Sequence, residues 1–168
     1  MDENIGAELT NSRMLKPSVK RLRRLMYIFL DFDGVLRRLS SDPSRLEKDC
    51  LENFESAVRP LPNAKIVISS AWRLVMPFKE LRGFFAAEVA DKIVGVTPVV
   101  SLSSPHARYE EIRAYLKGQN TEDEMWVAID DDPEHFPKDA PVILTSPDEG
   151  FDSICVNKLW EYAATEYK

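Results

Sequence analysis

Three short apolar runs in this chain each stop directly at a polar cluster: Tyr27-Ile28-Phe29-Leu30 at Asp31-Phe32-Asp33, Ile66-Val67-Ile68 at Ser69-Ser70, and residues 125–129 at Asp130-Asp131-Asp132. Runs this short and this rich in β-branched and aromatic residues read as strands. Strands apolar at successive positions are covered on both faces, as in a parallel sheet. Between the runs the spacing turns helical. It predicts a helix over 43–58 (Leu46, Cys50, Leu51, Phe54, Val58), with Ser41 or Asp42 as N-cap and Pro60 and Pro62 ending it. A second helical stretch covers about 78–90, and a third covers 105–117, with Tyr109, Ile112 and Leu116 on one side and Gly118 closing it. Strands at 92–96 and 141–144 and a last helix over 156–167 complete the pattern, which contains no internal repeat. The first two runs extend over 26–30 and 65–69.

Alternating strands and helices imply an α/β fold: a three-layer, Rossmann-like, mostly parallel sheet whose ligands lie beyond the carboxyl ends of the strands. Strand direction alone then gathers Asp31 and Asp33, Ser69 and Ser70, and Asp130 to Asp132 at one edge. With 168 residues, 44% hydrophobic and 30% charged, the chain fits one domain and is not of disordered or fibrous composition. Its net charge of -6 gives no basic footprint for non-specific nucleic-acid binding. Residues 1–25 differ, carrying six basic residues (Arg13, Lys16, Lys20, Arg21, Arg23, Arg24) against three acidic ones, and read as a basic, flexible or helical extension of a domain spanning 26–168. The apolar run after these basic residues is too short for a membrane span or an export signal. Cys50 and Cys155 form no CxxC pair and read as small buried side chains on helix and strand ends, which makes a reducing, cytoplasmic setting the expectation.

Carboxylates brought together at Asp31, Asp33 and Asp130 to Asp132 would repel one another without a counter-ion. Oxygen ligands with no supporting His or Cys favour magnesium, which also takes a substrate phosphate. A metal so placed brings phosphorus next to an aspartate oxygen, so one carboxylate can attack while the second handles the proton.

The segment from Tyr27 to Leu36, with its Asp-Phe-Asp-Gly-Val, resembles the first motif of the haloacid dehalogenase (HAD) superfamily. That resemblance implies Asp31 as the nucleophile of an aspartyl-phosphate intermediate and Asp33 as the acid that protonates the leaving oxygen and later activates water. Ile66 to Ser70 is similar to the second motif, whose hydroxyl binds the phosphoryl group through Ser70, with Ser69 the alternative. Trp126 to Asp131 resembles the fourth motif, with Asp131 on the metal beside Asp31 and Asp33, and Asp130 in support. Arg108 fits the place of the basic third-motif residue that neutralises phosphate. Dehalogenases lack an acid at the position of Asp33, since halide departure needs no proton, so phosphomonoester hydrolysis is the expected reaction.

Within the superfamily, Ser-Ser-Ala-Trp-Arg and Ile-Asp-Asp-Asp look most like the HAD domain associated with "Swiss army knife" RNA-repair proteins. The connections at 34–64 and 71–107 are too short for a folded cap beyond the sheet's own elements, because an independent insert needs more than about 40 residues. An uncapped site suits a phosphate end on a nucleotide or nucleic acid. Trp72 and Arg73 read either as a packed indole and a surface charge, or as a base-stacking ring and a second phosphate ligand. His106 and His135 read as solvent-facing loop or helix-start residues. A non-catalytic magnesium- and phosphate-binding module and a phosphotransferase are the alternative functions. Substrate identity and oligomeric state are not set by the sequence.

Overall fold

The computed structural model describes residues 25–100 and 104–165. All but the last residue of the basic 1–25 segment therefore lies outside the described residues. The chain forms β1 (Met26–Leu30), α1 (Lys48–Val58), β2 (Ala64–Ile68), α2 (Phe78–Arg82), α3 (Ala87–Ala90), β3 (Ile93–Val96), α4 (Ala107–Gly118), β4 (Met125–Asp130), β5 (Val142–Leu144) and α5 (Ser153–Ala164). A 3-10 turn at Ala71–Leu74 follows β2 and another at Pro133–His135 follows β4.

The five strands make one sheet in the order β3-β2-β1-β4-β5, with every pairing parallel. The unbroken apolar run of β1 explains its central place, since all five of its residues are buried. Alternate side chains enter opposite cores. Ile28, Leu30, Ile66, Ile68, Val127 and Ile129 pack with residues of α1, α2, α3 and α5, while Tyr27, Phe29, Val67, Trp126 and Ala128 pack with Ile112 and Leu116 of α4. The molecule is therefore a three-layer, Rossmann-like α/β sandwich, and the described connections hold no cap domain. Chain order runs outward from β1 through β2 to β3, then returns to β4 on the other side of β1. This reversal opens a crevice at the carboxyl ends of β1 and β4, where ligands bind in such sheets.

The strands fall within a residue of their expected bounds, while each of the four expected helices departs from its own. Helix α1 starts at Lys48, not at 43, because Asp42 Oδ1 accepts from the Ser44 backbone N–H (2.9 Å) within a turn, and the Glu47 N–H bonds Leu36 O (2.7 Å). The stretch 78–90 is two short helices. Gly83 ends α2, and Phe84 and Phe85 turn inward onto Phe32 (ring centroids 6.3 and 6.1 Å) while the Ala86 N–H donates to Glu55 Oε1 at 2.7 Å. Helix α4 starts at Ala107 and runs through Gly118 to a C-cap at Gln119, and Asn120 beyond it takes a left-handed conformation (φ 54) that lets the Thr121 N–H reach Leu116 O at 2.9 Å. Helix α5 begins at Ser153, earlier than the expected 156, because Asp152 caps it by accepting from the Cys155 N–H at 2.9 Å. Cys155 is thus a buried helix residue, as is Cys50. At its other end α5 stops at Ala164, short of the expected 167, because Thr165 is extended; residues 166–168 lie outside the described residues.

Gly150 lies where the β5–α5 connection passes close against α1. It has φ +68, and a Cβ there would lie 2.6 Å from Cys50 Sγ and 2.8 Å from Val35 O. Gly150→Ala is expected to cost about 2–4 kcal/mol in a denaturant titration, combining left-handed backbone strain with an overpacked contact.

Candidate active site

The β1 ladder continues one residue beyond the strand, with the Asp31 N–H on Ile129 O at 3.0 Å, so Asp31 stands directly over the crevice. The chain then folds into a tight loop. Phe32 O accepts from the backbone N–H groups of Val35, Leu36 and Arg37 (3.2, 2.8 and 2.9 Å), and Gly34 adopts φ +70. Thr145, at the end of β5, donates its hydroxyl to Gly34 O at 2.8 Å and ties this loop to the sheet. Phe32 is fully buried against Trp72, Phe84 and Phe85, which fixes the carboxylates on either side of it in the chain.

Among the described residues, Asp31, Asp130 and Asp131 form a group whose carboxylate oxygens lie within 4.8 Å of one another. Asp31 and Asp130 are buried, and Asp131 is half-buried. Burial first, and the Asp130 charge second, push the Asp31 carboxyl from 3.8 up to about 6, against the opposing pull of Arg108, the Phe32 N–H and the Ser70 hydroxyl. Burial and Asp130 likewise raise Asp131. Asp130 Oδ1 accepts from the Asp132 N–H at 3.0 Å, but its Oδ2 is buried with no hydrogen-bond partner. Three crowded carboxylates, with Asp31 and Asp131 raised, and an unpartnered buried oxygen match the needs of a hard cation, and the donor set is all oxygen. These residues fit a metal ion.

The remaining expected site residues surround this group. Ser70 is fully buried, and its hydroxyl favours the charged form of Asp31 and accepts from the Trp72 N–H at 3.4 Å. Ser69, also buried, is held through its backbone, with its N–H on Leu30 O (2.9 Å) and its carbonyl accepting from Arg73. Arg108, in the first turn of α4, brings its guanidinium to 4.0 Å from Asp31 Oδ1 and 3.5 Å from Asp130 Oδ2. Asp33 is placed differently from the other acids. Its side chain lies outside the three-carboxylate group, and its Oδ1 accepts from Arg37 Nε at 2.7 Å and from the Trp72 indole N–H at 3.0 Å.

In the segment after Ser70, Trp72 takes the packed-indole reading, whereas Arg73 departs from both of its readings. Trp72 is half-buried, edge-on to Phe32 and Phe84, and its indole N–H is already given to Asp33. Arg73 is neither a surface charge nor turned toward a ligand. Its side chain is 4% exposed, paired with Glu111 Oε1 at 2.6 Å, and donates to the carbonyls of Ser69, Ser70 and Thr97.

His106 occupies the start of α4, as expected. His135 is half-buried over the acids, 3.6 Å from Asp130 Oδ1, and that carboxylate raises its imidazole pKa. Sequence reasoning passed over Glu111 and Thr145. The signal for Glu111 was its spacing three residues after Arg108 on a helix, which neighbouring Glu110 obscured.

The family described as "HAD domain in Swiss Army Knife RNA repair proteins" matches residues 27–154. Comparison with curated proteins and with solved structures gave no match.

Proposed function

The chain belongs to the family of HAD domains found in Swiss Army Knife RNA repair proteins, and on that premise we propose that it is a magnesium-dependent phosphomonoesterase working through an aspartyl-phosphate intermediate. HAD domains are hydrolytic in general character and take phosphorylated substrates. The observation that carries the finer reading is the position of Asp31: at the topological crevice, inside the three-carboxylate group, and faced by Ser70 and Arg108.

In this reading Asp31, Asp131 and the supporting Asp130, with Asp33 adjoining, would hold Mg²⁺, which would supply charge neutralisation for the carboxylates and polarisation of the phosphoryl oxygens. A carboxylate oxygen of Asp31 attacks phosphorus while the bond to the leaving oxygen breaks. Ser70, seconded by Ser69, and Arg108 hold the phosphoryl oxygens. Asp33 gives its proton to the departing alkoxide. Because Oδ1 of Asp33 is occupied by Arg37 and Trp72, Oδ2 is the atom free to carry that proton. A water then attacks phosphorus, Asp33 takes its proton, and phosphate leaves with Asp31 regenerated.

The uncapped mouth and the family's association with RNA repair favour a nucleotide or nucleic-acid phosphate end as substrate. In this assignment the domain spans 26–168 and residues 1–25 are a basic extension. No helix among the described residues is long and apolar enough to cross a membrane, and a cytoplasmic setting is part of the proposal.

The test is a panel of nucleotides, oligonucleotides phosphorylated at the 3′ or 5′ end, sugar phosphates and phosphopeptides, assayed with and without Mg²⁺ and with an acceptor alcohol. Phosphate release that needs Mg²⁺ supports the reading. Metal binding with no release across the panel points to a binding module, and phosphoryl transfer only to the alcohol points to a transferase. Asp33→Asn is expected to lower kcat about a hundred- to ten-thousand-fold on alkyl phosphates. The loss should be smaller in the first step with an aryl phosphate whose leaving group departs without a proton, as a burst measurement would show.

A further inference from the structure

Behind the phosphate-facing side of the crevice lies a buried chain of alternating charges, Arg73, Glu111 and Arg108, of which the proposed reaction uses only Arg108. Arg73 anchors it, with Nε donating to Thr97 O (3.0 Å) and one terminal nitrogen to Ser69 O and Ser70 O (3.1 and 2.8 Å), so it joins the ends of β2 and β3. Its other terminal nitrogen pairs with Glu111 Oε1 at 2.6 Å, and Glu111 Oε2 accepts from Arg108 at 3.1 Å. The three side chains are 4%, 8% and 11% exposed.

Arg108 is therefore held from behind by Glu111 and stops short of the acids in front of it. Its separations of 4.0 Å from Asp31 and 3.5 Å from Asp130 leave its Nε and Asp130 Oδ2 both without a hydrogen bond. An arginine near two buried carboxylates gains strongly from forked, charge-assisted bonds to them, so the observed gap needs a restraint. Glu111 supplies it, one oxygen to each arginine.

We propose that Glu111, fixed by Arg73, is a positioning residue that keeps Arg108 from closing onto Asp31 and Asp130 and so leaves those carboxylates free for the cation. This rests on the metal reading above. Without Glu111, Arg108 becomes a tethered competitor of Mg²⁺ for the same oxygens.

The experiment is a calorimetric titration of the full chain with Mg²⁺ alone, on variants first shown by circular dichroism to be folded. Glu111→Gln is expected to weaken Mg²⁺ binding about 10- to 100-fold, the usual size of an effect exerted through a ligand's supporting partner. Adding Arg108→Ala to it should restore binding to near the parent value, a rescue that a merely structural role for Glu111 does not produce. If Glu111→Gln fails to fold, the double variant Arg73→Met with Glu111→Met removes the pair without leaving half of it unpaired, and is expected to fold and show the same weakening. Parent-like affinity in the Glu111 variants, or loss that Arg108→Ala does not rescue, overturns the positioning role alone. A parent chain that does not bind Mg²⁺ overturns the metal reading and this inference with it.

Discussion

Asp31→Asn is expected to abolish turnover and, in the absence of metal, to make the protein more stable than its parent. The carboxyl of Asp31 is raised from 3.8 to about 6 in the folded chain. A group whose folded pKa exceeds its unfolded one contributes stability below the unfolded value and loses it as pH climbs through the folded value. Here that loss amounts to about 3 kcal/mol between roughly pH 4 and 6.5. Asparagine carries no charge to lose. In thermal melts with chelator, Asp31→Asn should therefore melt about 5 °C or more above the parent near pH 7.5, with the gap closing toward about pH 4. Mg²⁺ should then raise the parent's midpoint and leave the variant's unchanged. Equal melting of the two proteins across this range, or a variant stabilised by Mg²⁺ as the parent is, contradicts the electrostatic account.

Gly34→Ala has the second large expected effect, and it acts through sterics. Gly34 has φ +70, and a Cβ built on it falls inside the carboxyl group of Asp131. The loop cannot shift cheaply, since it is tied by the Gly34 N–H to Arg37 O (2.7 Å) and by Gly34 O to Thr145. The substitution must push Asp131 away from Asp31 and Asp130, or unfold the loop. The expected result is a loss of Mg²⁺ binding in calorimetry together with about 2–4 kcal/mol of stability, the sum of left-handed strain and a displaced side chain. Near-parental Mg²⁺ affinity in Gly34→Ala would show that Asp131 does not hold the ion.

The strand ends were legible because each apolar run breaks abruptly at a charged or hydroxyl residue, and parallel topology does the rest. Asp31, Ser70, Arg108 and Asp131 come together although 100 residues separate the first from the last. What stayed hidden depends on contacts that no local pattern encodes. The break at 83–86 follows from Phe84 and Phe85 packing on Phe32, a residue in a different loop. The late start of α1 follows from Asp42 serving a turn in place of the helix. Arg73, a lone charge between Trp72 and Leu74, and Glu111, next to Glu110, carry no local sign of their partner, and only the meeting of α4 with the ends of β2 and β3 buries them together. The likeness of the Asp31 segment to the HAD first motif puts Asp33 with the metal ligands, whereas its Oδ1 bonds Arg37 and Trp72 through contacts that only the folded chain makes.

The covalent intermediate is the claim on which the functional account turns. Enzyme mixed with a radiolabelled phosphomonoester and Mg²⁺, quenched in acid within the first turnover and digested, should carry label on the peptide that holds Asp31, and hydroxylamine should release it. Steady-state hydrolysis with no label on that peptide, or with label on another residue, contradicts the account.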